Sequence, residues 1–211
     1  DCVVIGEGEG VDVAVLELVA EGREKGWSKR EILARASRLT GVYVPSVRKE
    51  GEKVVKAVFR DFENAPYPVR PVVANTEAVH DRAVIELYRG CASGCRFCQA
   101  GYYYRPTRER SPEKCAEQAK EIVRNTGHGE IAMCSLSTGD YTGLHALMDG
   151  LRDFVHENKV NLSLPSLRLS SVSGDIAQES RRSSLTFAPE AGTQRLRNVI
   201  NKNVTDEEID N

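Results

Sequence analysis

Apolar residues along this chain recur with two rhythms, and the rhythm changes near residue 83. Cys2-Val3-Val4-Ile5 is a β-type run that ends in the turn Gly6-Glu7-Gly8-Glu9-Gly10. From Val11 to Glu21 the apolar positions fall at helical spacing. A second helix is predicted from Ser28, where Glu31 completes a capping box and Ile32, Leu33, Ala36 and Leu39 share one face. Val42-Tyr43-Val44 and Val54-Val55-Lys56-Ala57-Val58 read as β segments around the charged turn from Arg48 to Lys53. Pro66, Pro68 and Pro71 mark residues 60–82 as mostly linker.

Beyond residue 83 strands and helices alternate. Strands are predicted at 84–88, 131–136, 167–169 and 185–188. A helix starts at Pro112 with Ser111 as N-cap and stops at Gly127. The next covers 144–158, with Leu147, Leu151 and Val155 on one face. Shorter ones are predicted at 175–181 and 193–200. Such alternation implies a parallel sheet. Four strand–helix units make the fold class α/β: part of a TIM-like (β/α) barrel, with too few strands to close it. The expected organisation is therefore three parts. Residues 1–40 form the end of one α/β domain, 41–82 are β segments and linker, and 83–211 are the first part of the barrel.

Composition narrows the classes of function. The 211 residues are 40% hydrophobic and 28% charged, an ordinary globular balance. A net charge of −2 leaves no global nucleic-acid footprint. No apolar run approaches the roughly 20 residues that span a bilayer, so no membrane association is expected. Arg23, Lys25, Lys29 and Arg30 follow the first apolar stretch rather than precede it, unlike a signal peptide. Asp1 opens directly into a strand-like run, and Thr205-Asp206-Glu207-Glu208-Ile209 reads as a helix start with nothing after it. The expectation is an internal piece of a longer protein.

The six cysteines are Cys2, Cys91, Cys95, Cys98, Cys115 and Cys134, and three of them fall within eight residues. A disulfide scaffold would spread them along a short secreted chain. Clustering without an export signal points to a reducing, cytoplasmic setting and a metal site. The run Arg89-Gly90-Cys91-Ala92-Ser93-Gly94-Cys95-Arg96-Phe97-Cys98 has the spacing C-x3-C-x2-C directly after a strand. Thiolates suit both iron–sulphur clusters and zinc. Gly90 and Gly94 permit a short loop to turn its three sulphurs toward one point. Structural zinc and simple ferredoxin clusters take four ligands, but no fourth cysteine lies at a matching spacing. Cys115 is expected inside a helix and Cys134 inside a buried strand. Three ligands on a four-iron cluster leave one iron open to a cofactor. A non-catalytic iron–sulphur or zinc module is the alternative.

C-x3-C-x-aromatic-C after the first strand of a (β/α) barrel resembles the radical S-adenosylmethionine (radical SAM) superfamily, with Phe97 as the aromatic. The resemblance implies a 4Fe-4S cluster on Cys91, Cys95 and Cys98. It also implies S-adenosylmethionine chelated to the open iron and an external flavodoxin- or ferredoxin-like electron donor. Reductive cleavage would then give a 5′-deoxyadenosyl radical. It carries the small-residue turn after the second strand onto Ser137-Thr138-Gly139-Asp140. There Thr138, Gly139 and Asp140 would meet the cofactor ammonium, although the family's usual turn is Gly-Gly-Glu. Ser170, Ser171 and Ser173 follow the third strand, where parallel α/β folds bind ligands; their hydroxyls are candidates for the ribose or carboxylate, or for capping the helix at Asp175. After the fourth strand the resemblance points to Glu190 for the ribose and to Arg195 or Arg197 for the cofactor carboxylate.

The runs Ala188 to Arg197 and Arg105 to Pro112 resemble a particular branch, the radical SAM proteins with a cobalamin-binding domain. Val3 to Glu9 is similar to the last strand and turn of the Rossmann-like domain of that branch, which makes cobalamin a further candidate cofactor. Phosphate is the generic rival for a Gly-rich turn. A methyl or methylthio transferase acting on RNA or protein is the substrate-level alternative. Tyr102, Tyr103 and Tyr104 with Arg105, Arg108 and Arg110 could stack on and pair with RNA, but a packed tyrosine segment with solvated arginines is preferred. His80, His128, His145 and His156 show no ligand spacing and read as surface or helix-end residues.

Overall fold

The structure, a computed structural model, describes residues 1–165, 167–169 and 187–210. It divides into two compact units, Asp1–Pro66 and Tyr67–Asn211.

In the first unit β1 (Val3–Val4) is followed by helices α1 (Val11–Glu24) and α2 (Lys29–Ala36) and strand β2 (Val42–Tyr43). The capping box forms as the sequence requires. Ser28 Oγ accepts the Glu31 N–H, and the Glu31 carboxylate accepts the Ser28 N–H at 2.8 Å. Gly22 lets the helices close, since a Cβ there would lie 2.7 Å from Ile32. Ala36, Val42 and Val44 form the buried centre, with Val11, Val15 and Leu33 packed against it. This core is why β2 belongs with the first helices rather than to a separate segment after residue 40. Phe62 is buried on a short 3-10 turn, so the chain just before Pro66 is packed rather than free linker.

The parallel pairing of a Rossmann-like end is not seen for β1 among the described residues. This strand pairs antiparallel with β2, Val3 opposite Tyr43, and Gly6 makes an isolated parallel bridge to Ala57. The Gly-rich turn is occupied by acids. Glu7 accepts the Phe59 N–H at 2.5 Å, and the Asp12 carboxylate lies against Gly8. Negative side chains at the start of α1 suit the helix dipole and oppose a phosphate.

The second unit is built on a parallel sheet of β3 (Ala83–Glu86), β6 (Glu130–Cys134) and β7 (Asn161–Ser163), in that order. Ile85 lies opposite Met133, and Ile131 opposite Leu162. Between β3 and β6 come β4 (Tyr88–Arg89), α3 (Gln99–Tyr103), β5 (Arg108–Glu109) and α4 (Pro112–Thr126). Helix α5 (Leu144–Asn158) joins β6 to β7. Consecutive neighbours in the sheet, with α4 packed on both β3 and α5, match a (β/α) repeat winding in one direction. Ser111 caps α4 through the Lys114 N–H at 3.3 Å, and Gly127 ends it in the left-handed region. Leu147, Leu151 and Ile122 are fully or almost fully buried with Ile85, Ile131 and Met133; each such side chain stabilises the fold by about 1.5–3 kcal/mol. Tyr67 and Val69, expected in the linker, pack against this core.

The third strand is displaced from its expected place. It is Asn161–Ser163, and residues 167–169 form no strand. The Asn161 N–H donates to Gly129 O at 2.9 Å and aligns β7 with the start of β6. Cys134 ends β6 and is exposed rather than buried, because Ile131 and Met133 take the core-facing positions. The helix expected at 175–181 and the first half of the strand expected at 185–188 lie outside the described residues. Residues 187–190 form no strand. Helices α6 (Gln194–Val199) and α7 (Asp206–Asp210) close the chain.

Candidate functional site

The cysteine loop is an excursion from the sheet closed by a clasp. β4 and β5 pair antiparallel, Arg89 opposite Arg108, so the chain leaves at residue 89 and returns at 108. Gly90 sits at the exit with φ 93°, and a Cβ there would lie 2.9 Å from Thr107 Cα and 3.0 Å from two carbonyl oxygens of the returning limb. Glycine is required on both counts. Gly94 turns the loop at φ 68°. Cys98 caps α3, its Sγ accepting the Gly101 N–H at 3.3 Å.

A second set of bonds fastens the loop to the end of α6. The Arg96 N–H donates to Ile200 O at 2.9 Å, and the Arg96 guanidinium donates to Val199 O. Asn201 Nδ2 donates to Gly94 O at 2.9 Å and Ser93 O at 3.2 Å. Tyr102 donates its hydroxyl to Gly94 O at 3.1 Å.

At the carboxyl ends of the strands the loop meets the turn after β6. Tyr88 donates its hydroxyl to Ser137 O at 2.6 Å. Arg168, beyond β7, joins three groups: its Nε donates to Ser137 Oγ at 2.9 Å and lies 3.0 Å from Asp140 Oδ2, and its Nη2 donates to Cys91 Sγ at 3.8 Å. Burial, and then the charges of Asp140 and Cys91, push the Tyr88 phenol up to about 12. Next to these groups is a cleft of about 300 Å³, lined among others by Ser137, Arg168, Glu190, Lys202, Leu136 and Phe187. That volume is at the lower end of small-molecule sites. A second hollow of about 290 Å³ lies at the opposite end of β3, between residues 67–84 and α4. In barrels that face serves stability.

The sequence-derived candidates distribute as follows. Cys91 and Cys95 are buried and Cys98 is partly buried; all three thiols are free. Phe97 is 53% exposed. Thr138 is buried, its hydroxyl donating to Pro165 O at 2.6 Å, so its side chain supports the turn. Gly139 and Asp140 complete that 3-10 turn. Glu190 adopts φ 70° and pairs with Lys202 at 3.5 Å. Arg195 is exposed on α6 and does not line the cleft. Arg197 is 1% exposed and engaged with Ala191 O, Val204 O and Asp206, which makes it a structural arginine. Ser170, with Ser171 and Ser173, lies outside the described residues. Tyr102, Tyr103 and Tyr104 are exposed rather than packed. The sequence reading missed Arg168, Asn201 and Lys202.

Among the described residues, no three His, Cys, Asp or Glu side chains converge closely enough to hold a single ion. The three sulphurs of the loop are therefore not gathered at one point. A cubane cluster asks for something else, because each cysteine binds a different iron. The donor set fits it: three free thiols on one loop, two of them buried, with N–H donors from Gly101 and Arg168 on the sulphurs. Such outer donors accompany thiolate-bound clusters.

Comparison with known proteins identifies the family. Residues 1–45 match the N-terminal domain of radical SAM proteins. The chain is 28% identical over its full length to uncharacterized protein MJ0966 of Methanocaldococcus jannaschii, of which it covers 43%. Residues 85–211, from the end of β3 through the cysteine loop to the last helix, match the radical SAM superfamily domain. The chain belongs to the radical SAM superfamily.

Proposed function

We propose that this chain forms the cluster- and cofactor-binding part of a radical SAM enzyme. Cys91, Cys95 and Cys98 hold a 4Fe-4S cluster with one iron left for S-adenosylmethionine. The observation that carries the reading is the Arg168 guanidinium, which brings Cys91 together with Ser137 and Asp140 at the carboxyl ends of the strands. When bound there, the cluster would supply the one electron, taken from an external flavodoxin- or ferredoxin-like donor, for reductive cleavage of S-adenosylmethionine to methionine and a 5′-deoxyadenosyl radical.

The chain's own residues bind and orient. The backbone of Thr138 and Gly139 and the Asp140 carboxylate face the cofactor ammonium. The Thr138 carbonyl accepts the Tyr141 N–H at 3.3 Å and keeps a lone pair for a second donor. Glu190 is placed for the ribose hydroxyls, and Lys202 beside it is the nearby cation for the carboxylate. Phe97, next to Cys98, offers an exposed ring for the adenine. Arg195 is not carried forward, because it lies off the cleft. Cobalamin rests on the resemblance of Val3 to Glu9, with Arg105 to Pro112 and Ala188 to Arg197, to the cobalamin-domain branch, and the absorbance of the full-length protein tests it.

The deciding experiment is anaerobic reconstitution with iron and sulphide. About four irons per chain and 5′-deoxyadenosine formed with reductant and S-adenosylmethionine are expected. Cys95→Ala is expected to abolish both, and normal product formation by that variant would sink the proposal. Zinc in place of iron would favour a structural module. A second reading, RNA as the substrate of a methyl or methylthio transfer, is favoured by exposed Tyr102, Tyr103 and Tyr104 beside the cluster loop. Mass spectrometry of RNA from a deletion strain decides it, and an unchanged set of modified nucleosides would remove it.

A further inference from the structure

We infer that Arg168 is a positioning residue that raises the reduction potential of the cluster through Cys91, and that Asp140 opposes it. This rests on the proposed cluster ligation.

The geometry is that of a forked cation whose Nε and Nη2 reach three groups. One edge, Nε, is fixed by Ser137 Oγ at 2.9 Å and Asp140 Oδ2 at 3.0 Å. The other arm, Nη2, is left to donate to Cys91 Sγ at 3.8 Å. The Arg168 side chain is only 18% exposed, so water screens it little. Guanidinium stays charged at any working pH. Adding an electron places more negative charge on the cluster and its thiolates. A cation that donates N–H to one of those sulphurs stabilises the reduced form more than the oxidised form and makes reduction easier. The Asp140 carboxylate, 41% exposed, partly cancels that field while it holds the guanidinium in place. Lysine would keep the charge but lose the fork, since a point-like ammonium cannot serve Ser137, Asp140 and Cys91 in one plane.

The test is an EPR-monitored redox titration of the anaerobically reconstituted full chain without S-adenosylmethionine, with iron and sulphide measured on the same samples. Arg168→Met is expected to lower the midpoint by about tenfold in the one-electron equilibrium constant, about 59 mV. Arg168→Lys is expected to fall between it and the parent. Asp140→Asn is expected to move the midpoint the other way. A residue that merely supports the fold would reduce the amount of cluster bound without shifting the midpoint of what remains. Equal midpoints for loaded parent and loaded Arg168→Met overturn the inference. Where Arg168→Met takes up no cluster, equal midpoints for Arg168→Lys and Asp140→Asn overturn it. A parent chain that takes up no cluster overturns the proposed function instead, and this inference with it.

Discussion

Tyr88 and Ser137 are joined by a buried hydrogen bond, phenol to backbone carbonyl, 2.6 Å long. Tyr88 belongs to the clasp from which the cysteine loop departs, and Ser137 opens the turn that ends at Asp140. The bond therefore fixes the spacing between the cluster loop and the turn proposed to face the cofactor. The Tyr141 ring stacks on Tyr88 at 6.4 Å and donates its own hydroxyl to Arg110 O at 2.6 Å, which continues the brace.

Tyr88→Phe tests that brace. Ser137 O keeps the Asp140 N–H at 3.0 Å, so the loss is chiefly the neutral bond to Ser137, about 1 kcal/mol, beside the phenol's bond to Ser135. The expected drop in melting temperature is about 2–4 °C for a chain of this size.

The same residue predicts an alkaline limb of stability. Tyr88 is raised from 10.0 to about 12, chiefly by burial, and Tyr67 behaves alike. The folded state thus holds these protons where the unfolded chain has released them. Their contribution is complete below pH 10 and is lost as pH rises toward about 12. Denaturant titrations across that window should show stability falling with pH, with a shallower fall in Tyr88→Phe. Equal slopes would count against the assignment.

Gly90→Ala forces a Cβ against the returning limb at a positive φ. A cost of about 1–3 kcal/mol is expected, and the clasp between Arg89 and Arg108 should loosen with it. Iron uptake and thermal unfolding should both fall, whereas alanine at Gly129, where added volume meets nothing within 4 Å and no positive φ is required, should change neither.

Arg197 and Arg195 stand two positions apart on α6 and should behave oppositely. Arg197→Met strips donors from Ala191 O and Val204 O inside the fold, at about 1–3 kcal/mol for groups left unpaired. Arg195→Ala should stay within about 0.5 kcal/mol of the parent. Chemical denaturation of the two variants side by side separates them.

Asn201→Ala removes both side-chain bonds to the cysteine loop and places alanine at φ 55°. Release of iron to a chelator should speed up roughly tenfold, the equivalent of about 1.4 kcal/mol.

What the sequence made legible was local. The capping box at Ser28, the Ser111-Pro112 start and Gly127 stop of α4, and the spacing of Cys91, Cys95 and Cys98 each depend on residues a few positions apart. The third strand was misplaced because Asn161 and Ser163 are polar and the run is short. Its signal was the alternation of Val160, Leu162 and Leu164, of which Val160 and Leu164 are buried. Arg168 could not be found that way. Its place beside Cys91 spans 77 positions and exists only once β3, β6 and β7 lie side by side. Arg195 and Arg197 illustrate the converse: both carry the same charge near one cleft, and only the buried carbonyls around Arg197 decide which is structural.

The bonds from Asn201 to Ser93 and Gly94 cross 108 and 107 positions of chain, and they set an order of events during synthesis. When Cys98 leaves the ribosome, the segment that secures its loop has not yet been made. Translation at about 5–20 residues per second puts several seconds between the two. A cluster delivered in that interval would meet three accessible thiols on an unfastened loop. The fastening of the loop therefore follows the arrival of α6, and a chain stalled before residue 199 would carry its three thiols without it.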